Sequence, residues 1–282
     1  MRLFSAELLK LRRRWASYIV LIILLGLMSL VYLLIGVSGR GSGGGATFIS
    51  FPGSFGIINQ FVFGLGSLLG VAYAAAIAGA DWNWGVFRVA IARGESRSRY
   101  VLMKALAIAF VLLIGVIIAY AVGLLLTYVA AGLASVQPGS LLTRNRLDDV
   151  ARSLYLGFPV LIERAAIGFA VAVLLRSQLA GVIVGIVLYI GESILAAVLI
   201  GITLADQGFD GIGRLGMQWY QFLPFSIGDS VLSATTGLGG DDITSFILSP
   251  IPLNTALIVT AIYLAAALGV AVVAVERSEI SG

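Results

Sequence analysis

Three ionisable residues lie inside long apolar stretches, where any chemistry or ion pairing would take place away from water. Glu163 and Arg164 are adjacent in one stretch, and Glu192 lies in the next. An ionised group at the centre of a bilayer costs about 2.5 to 3.5 kcal/mol, so such groups pair, face a wet cavity or carry a function. Adjacent residues on a helix point about 100° apart. We therefore expect Arg164 to pair with Glu192 across a helical hairpin, either to fix helix register or as part of a functional site.

The residue types exclude most kinds of catalytic site. The chain has no Cys and no His, which removes thiol chemistry and the usual zinc and haem ligands. Lys10 and Lys104 are the only lysines, and neither has the GxxxxGK context of a phosphate-binding loop. Residues 39–45 formally contain GxGxxG, but no strand precedes them, so we interpret them as a flexible loop. We expect a non-catalytic chain without metal or cofactor, because only the two glutamates would remain for an intramembrane enzyme.

Six apolar stretches must position the three charges. With 60% hydrophobic residues, 11% charged residues and a mean hydropathy of +1.05, the composition is that of a polytopic membrane protein. A span needs roughly 20 apolar residues. We predict an all-α fold in one domain, residues 1–282, with spans at 15–37, 57–80, 105–134, 154–175, 179–205 and 253–275. The first is too long for a signal peptide, and we interpret it as a retained span.

The basic residues predict the orientation. With a cytosolic N-terminus, the inner segments hold twelve Lys and Arg residues and the outer loops hold five, while Arg164 lies within a span. Lys and Arg near span ends favour the cytosolic side. We therefore expect both termini to be cytosolic. The basic pI reflects this orientation, and since no nucleic-acid-binding motif accompanies it, we expect no nucleic-acid partner.

Two segments outside the spans carry helical patterns. In residues 1–14, apolar residues recur at spacings of three and four while Glu7 and Lys10 fall on other faces, which predicts an amphipathic helix in the membrane interface, or a simple basic anchor. The stripe consists of Met1, Phe4, Leu8, Leu11 and Trp15. Residues 81–104 carry five basic residues, and Asp81 is placed to cap a short cytosolic helix that ends near Arg93 and Gly94.

Other features concern helix packing and the outer side. The pairs Gly66/Gly70 and Gly181/Gly185 predict close helix approach within the chain. Residues 206–252 form the longest polar interruption, and we expect a short helix there, stopped by Pro224, that lies on or dips into the outer leaflet. Its apolar face would hold Ile212, Leu215, Trp219 and Phe222.

Pro159 allows two interpretations of the fourth span. The helix either continues through this proline or breaks there, with residues 148–158 lying along the outer surface. A break would bring Glu163 and Arg164 nearer to water, which would weaken the argument that they have a function.

In these features the chain resembles the permease subunits of type 2 ATP-binding-cassette (ABC) exporters. The resemblance covers nearly the whole length: the amphipathic N-terminus, the six spans and the segment between the second and third spans, although Val86 stands where the family often has Thr. The residues of that segment that follow the family pattern are Gly85, Arg88, Arg93, Ser96, Arg97 and Lys104. The turn formed by Leu174, Leu175, Arg176 and Ser177 also matches the passage from the fourth to the fifth span.

The resemblance implies a permease of a prokaryotic plasma membrane that pairs with a separate cytosolic ATPase and with a second copy or homologous permease. Residues 81–104 would act as the coupling helix. The residues expected to contact the ATPase are Trp82, Trp84, Gly85, Phe87, Arg88, Arg93 and Arg97. Glu163 would then face a translocation path or the second subunit. The sequence leaves two alternatives open: aromatic and basic residues that serve only as membrane anchors, and a chain that is a non-transport scaffold or accessory subunit.

Overall fold

The computed structural model describes residues 2–42, 46–83, 94, 96–141, 143–207, 217–235 and 251–277. Within these ranges the protein is helical and has no strand. The helices are α1 (Arg2–Arg13), α2 (Trp15–Ser42), α3 (Ser54–Asn59), α4 (Gly66–Asn83), α5 (Arg97–Ala134), α6 (Arg144–Leu175), α7 (Gln178–Gln207), α8 (Pro224–Ser233) and α9 (Leu253–Glu276). Two 3-10 turns cover Ala46–Ile49 and Trp219–Phe222, and a π-helical segment covers Gln60–Leu65.

The prediction of six spans is confirmed: this is an all-α, multi-pass membrane protein. Six helices are long and apolar enough to cross a bilayer. They run over Trp15–Gly39, Ser54–Trp82, Arg97–Ala134, Arg144–Leu175, Gln178–Thr203 and Leu253–Glu276. The second span joins α3, the π-helical segment and α4 end to end.

The spans α4 and α6 form the centre of the bundle. They are the most buried of the six, they make the most extensive helix contact, and α7 and α9 pack beside them. By contrast, only 6% of the apolar window of α7 is buried, so most of this helix faces lipid or another chain. The central pair positions the intramembrane charges because Glu163 and Arg164 both lie on α6.

Glycine permits the closest helix approach at two points beside α7. A Cβ on Gly79 would lie 2.4 Å from the Cα of Gln178, and a Cβ on Gly181 would lie 2.4 Å from the Cβ of Ala172. Neither helix pair would tolerate a side chain there without moving apart. The packing interpretation of the Gly181 pair is therefore confirmed. Gly70 shows only ordinary contact, with its nearest neighbour at 4.0 Å.

Helix α1 packs along α5 with part of its predicted stripe. Leu11 is buried in the core, and Phe4 and Leu8 pack against that core. Trp15 opens α2 instead and is 78% exposed, as suits a ring at headgroup depth. The amphipathic pattern thus folds α1 onto the bundle through one face. We call the end of the bundle that carries α1 the α1 end.

The fourth span is one continuous helix. Pro159 lies inside α6, which runs unbroken through it, so the broken-helix alternative is not adopted. The helix ends at Arg176, whose φ of 51° is left-handed. Ser177 then begins the next span, because its Oγ accepts the backbone N–H of Ala180 at 3.3 Å. The short turn predicted between these spans therefore consists of the C-cap of α6, Arg176, and the N-cap of α7, Ser177.

The segment before α9 differs from the prediction that a helix ends at Pro224. Pro224 starts α8 rather than stopping a helix, because proline at the first helical position needs no N–H partner and has a suitable φ. Trp219 and Phe222 belong to the short 3-10 turn that precedes it, while Ile212 and Leu215 lie outside the described residues. Helix α8 packs against α6, α7 and α9, so it enters the bundle instead of resting on its surface.

Candidate functional site

Most of the predicted coupling helix falls in sequence between α4 and α5. Trp84, Gly85, Phe87, Arg88 and Arg93 lie outside the described residues. The segment nevertheless has two fixed ends, because α4 continues to Asn83 and α5 begins at Arg97. Ser96 occupies the N-cap position of α5, with the extended backbone that a cap requires. The residues around these two ends therefore form the described part of the site.

Trp82 and Arg97 both contact neighbouring helix ends. The guanidinium carbon of Arg176 lies 5.5 Å from the centre of the Trp82 ring, which is a cation–π contact between α4 and the α6–α7 turn. Arg97 donates to the carbonyl of Glu276 at 3.0 Å and to that of Val275 at 3.4 Å. A cation is favourable at the last carbonyls of a helix. Arg97 thereby ties the start of α5 to the end of α9.

Asp81 is the centre of a buried group at the α1 end, which we call the Asp81 cluster: Asp81, Lys104, Tyr100 and Arg14. Its carboxylate accepts hydrogen bonds from Lys104 Nζ and from the Tyr100 hydroxyl. Asp81 and Lys104 are each only 3% exposed. A guanidinium nitrogen of Arg14, between α1 and α2, lies 3.6 Å from the second carboxylate oxygen. Three side chains from two other parts of the chain therefore meet at the Asp81 carboxylate.

This geometry corrects the role predicted for Asp81. The residue does not cap a new helix, because α4 continues past it to Asn83. A carboxylate within a helix end is free to reach the cations of other helices, and a buried lysine requires such a partner. Lys104 likewise lies in the bundle interior and not at an exposed interface.

Glu7 and Lys10 connect α1 to Tyr100 of the Asp81 cluster. Its side chain is only 3% exposed, although the sequence pattern put it on a polar face. It accepts a hydrogen bond from Lys10 Nζ at 2.5 Å, and that nitrogen lies 5.9 Å above the Tyr100 ring. A buried glutamate on the apolar face needs this cation. Helix α1 is consequently held to α5 by charge as well as by its apolar stripe.

The second polar site surrounds Arg164, deep in the bundle. We call it the Arg164 cluster: Arg164, Asp229, Glu192 and Tyr189. Arg164 is 1% exposed and donates to an Asp229 carboxylate oxygen at 2.6 Å. It also donates to the Phe225 carbonyl at 2.7 Å and to the Tyr189 hydroxyl at 3.4 Å. A guanidinium carries five donors, which suits it to satisfying several acceptors in one buried place.

The predicted ion pair between Arg164 and Glu192 does not form, because both side chains bind helix α8 instead. Arg164 binds Asp229 and a carbonyl of α8, while Glu192 accepts the backbone N–H groups of Phe225 and Ser226 at 2.8 and 2.7 Å. Unpaired N–H groups and the dipole make the start of a helix favourable for a carboxylate. The two charges therefore act on the first turns of α8 and not on each other.

The contact with Glu192 places the start of α8 well inside the bundle. Glu192 is fourteen residues beyond Gln178, the first residue of α7, or about 21 Å along that helix. Helix α7 continues for a further fifteen residues to Gln207. The expectation of a helix that dips into the membrane therefore agrees with α8, although its residues are not those predicted.

The π-helical segment contributes backbone acceptors to the Arg164 cluster. Tyr189 donates to the carbonyl of Gly64 at 3.3 Å, and Arg164 approaches the carbonyl of Phe63 at 3.5 Å. A π-helical turn changes the normal hydrogen-bonding register and is frequent at functional sites. It presents these two carbonyls towards the polar side chains of α6 and α7.

Glu163 lies inside the bundle. The residue is 0% exposed, and neither carboxyl oxygen has a hydrogen-bond partner within the described ranges. Because α6 is central, Glu163 points into the chain's own core and not outwards, while the expectation that it faces a translocation path stays a prediction. Glu163 differs from Arg164 and Glu192, whose polar atoms hold α8.

Several polar residues of these sites carried no clear sequence signal. Asp229 and Tyr189 lie in segments without a recognisable motif, and only their contact with Arg164 reveals them. A further buried group joins distant segments on the side away from α1, where the Asn59 amide donates to Ser153 at 3.1 Å and to Thr235 at 3.3 Å. Such pairings join residues far apart in sequence, so spacing alone does not predict them.

No protein-family model matches the chain, and no curated protein matches it.

Proposed function

We propose that the chain is the membrane-spanning permease subunit of an ABC transporter of the exporter type. It would move its substrate across a prokaryotic plasma membrane using ATP hydrolysed by a separate cytosolic ATPase. The chain would itself be non-catalytic and would work with a second copy or a homologous permease. Its two termini, and hence the α1 end, would be cytosolic, as the distribution of Lys and Arg favours.

The observation that supports this function best is the position of the Asp81 cluster. Asp81 lies at the last turn of α4, and Tyr100 and Lys104 lie in the first turns of α5, at the two ends of the proposed coupling segment, residues 81–104. Their buried hydrogen bonds join the two helix ends directly. A force applied to the segment by an ATPase would therefore move α4 and α5 together, as rigid-body coupling requires.

Helix α1 would move with them. It is linked to α5 through Lys10 above Tyr100 and to α4 through Arg14 beside Asp81. Arg97 extends the same unit to the end of α9. A displacement at the α1 end would thus reach four helices, and the central pair of α4 and α6 would carry it towards the Arg164 cluster.

The test is co-purification with an ATPase under the native promoter. Arg88→Glu would reverse a charge in the proposed coupling segment, so we expect it to abolish ATPase binding while membrane insertion stays normal. Arg99→Glu is the matched control, because Arg99 is an exposed residue of the same sign at the start of α5. It should leave binding within about threefold of wild type.

Two results would overturn the proposal. If no ATPase co-purifies with the wild-type chain, the chain is better explained as a non-transport scaffold or accessory subunit of a larger membrane complex. If an ATPase co-purifies but Arg88→Glu and Arg99→Glu bind it equally well, residues 81–104 serve only as a membrane anchor.

A further inference from the structure

An apolar cavity of about 390 Å³ lies between α1, α2, α4 and α5 at the α1 end. Side chains from all four helices line it, and the Arg12 side chain stands at the α1 side. The apolar lining includes Leu11, Leu24, Leu69, Phe110 and Ile114. Its size and apolar walls are those of a small-molecule site, and its contents must be apolar where they meet these residues.

The cavity opens towards the lipid. Three residues that line it are also well exposed on the outside of the bundle: Tyr18 at 48%, Ile114 at 44% and Phe110 at 43%. An opening at this position faces the acyl chains of the surrounding leaflet. A lipid chain can therefore enter sideways without unfolding the bundle, whereas a polar molecule would have to cross apolar side chains.

The α1 side of the opening carries positive charge that the described residues do not neutralise. Lys10 pairs with Glu7, and Arg14 lies beside Asp81. Arg12 and Arg13 are exposed, and neither forms an ion pair within the described residues. Basic residues at a membrane surface attract anionic headgroups.

Together these features fit one amphiphilic ligand. We propose that the cavity binds an anionic phospholipid of the leaflet on the α1 side, with one acyl chain between α2 and α5 and the headgroup phosphate at Arg12, while the exposed Arg13 adds positive charge at the same membrane surface. The lipid would fill the space that α1, α2, α4 and α5 leave open, and its headgroup would lie along α1. This inference does not depend on the proposed transport function.

Gly115 provides a direct way to fill the cavity. It lines the cavity on α5, and a Cβ added there would meet no atom within 4 Å. Gly115→Phe should therefore occupy the lipid's space without displacing protein atoms. Gly132→Phe is the matched control, because Gly132 lies on the same helix, has equally open surroundings and is outside the cavity.

The experiment uses the full chain in vesicles of equal parts phosphatidylglycerol and phosphatidylethanolamine. After extraction in mild detergent, native mass spectrometry counts the phospholipids that remain bound. We expect wild type and Gly132→Phe to retain phosphatidylglycerol, and Gly115→Phe to retain at least about fivefold less. Thermal melting of each variant in detergent shows whether it is folded.

A charge variant tests the headgroup. Arg12→Glu/Arg13→Glu should reduce the preference for phosphatidylglycerol over phosphatidylethanolamine by about tenfold or more. Arg99→Glu, which changes one exposed charge away from the cavity, should leave the preference unchanged.

Three results would overturn the inference. Equal retention of phosphatidylglycerol by folded Gly115→Phe and Gly132→Phe would show that no lipid chain occupies the cavity. Equal retention of the two lipids by wild type would show that the site does not select an anionic headgroup. A dimer that only Gly115→Phe disrupts, without lipid loss, would identify a second copy of the chain as the occupant.

Discussion

The Asp81 cluster and the Arg164 cluster bury charge in different ways. In the first, a buried carboxylate meets a buried ammonium and a phenol, and all of them belong to long helices. In the second, a buried guanidinium and a half-buried carboxylate mainly bind the backbone and an exposed aspartate of one short helix, α8. The first cluster therefore joins spans to one another, whereas the second positions a separate element between spans.

The difference has an energetic consequence. Removing one partner of a buried ion pair leaves the other charge without water or counter-charge, and this is strongly destabilising. In the Arg164 cluster the counter-ion Asp229 is 71% exposed, so removal of Arg164 does not leave a buried, unpaired charge behind. We expect damage to the Asp81 cluster to affect the whole fold, and damage to the Arg164 cluster to affect mainly α8.

The largest effect is expected from Asp81→Leu. The substitution leaves the Lys104 ammonium buried and unpaired, at a cost of about 3 to 5 kcal/mol. We expect the Tm in detergent to fall by on the order of 10 °C. The double variant Asp81→Leu/Lys104→Met removes both charges and should recover most of this loss. If the double variant is no more stable than the single one, the two residues do not act as a pair.

Arg164→Met should have an intermediate effect that is confined to one region. It removes the donors to Asp229 and to the Phe225 carbonyl, at a cost of about 1 to 3 kcal/mol. Hydrogen exchange of the α8 amides should speed up, while the amides of α9 serve as an internal reference. Asp229→Asn keeps an oxygen that can accept from Arg164 but leaves the buried guanidinium without its counter-ion, so it should cost a similar amount, about 1 to 3 kcal/mol. If hydrogen exchange speeds up equally in all spans, the Arg164 cluster stabilises the whole fold, as the Asp81 cluster is expected to do.

Glu192→Gln should produce a smaller change at the start of α8. Glutamine keeps an oxygen that can accept the N–H groups of Phe225 and Ser226 but removes the negative charge, so the loss is about 0.5 to 1 kcal/mol. Exchange at these two amides should increase more than exchange at the end of α8. Glu192→Leu, which removes the acceptor as well, should increase exchange at both amides further. Unchanged exchange in both variants would contradict the capping role.

The smallest effect is expected from Glu163→Leu. Glu163 is buried but has no hydrogen-bond partner among the described residues, so an apolar side chain of similar size removes a desolvation cost and breaks no contact. We expect the free energy of unfolding to stay the same or to rise by no more than about 1 kcal/mol, and Tm to follow it. If Tm falls by several degrees, Glu163 has a polar partner and belongs with the structural charges. If stability is kept and transport is lost, its role is functional.

The spans were predictable because each depends on a local property, a run of about 20 apolar residues. The structure shifted their ends without changing their number. The turn between the fourth and fifth spans was expected from the resemblance, and the structure forms it from neighbouring residues, with a capping Ser177 after the left-handed Arg176. These features depend on residues that are close together in sequence.

The partners of the charges were not predictable in the same way. Arg164 and Asp229 are 65 residues apart, and α8, which separates Arg164 from Glu192, belongs to a segment whose helical pattern was misread at Pro224. The free-energy cost of placing a charged side chain in the bilayer identified which side chains needed partners. They did not identify which of several acceptors would be nearest after folding, because that depends on how α6, α7 and α8 pack together.

The length of α5 has a mechanical consequence. Its 38 residues make a rod of about 57 Å, nearly twice the thickness of a hydrocarbon core of about 30 Å. Tyr100 and Lys104 are attached near one tip of this rod. A tilt of about 10° around its midpoint moves each tip by about 5 Å, in opposite directions. If the helix tilts as a rigid rod, a small push at the Asp81 cluster would produce an equal and opposite displacement on the far side of the membrane.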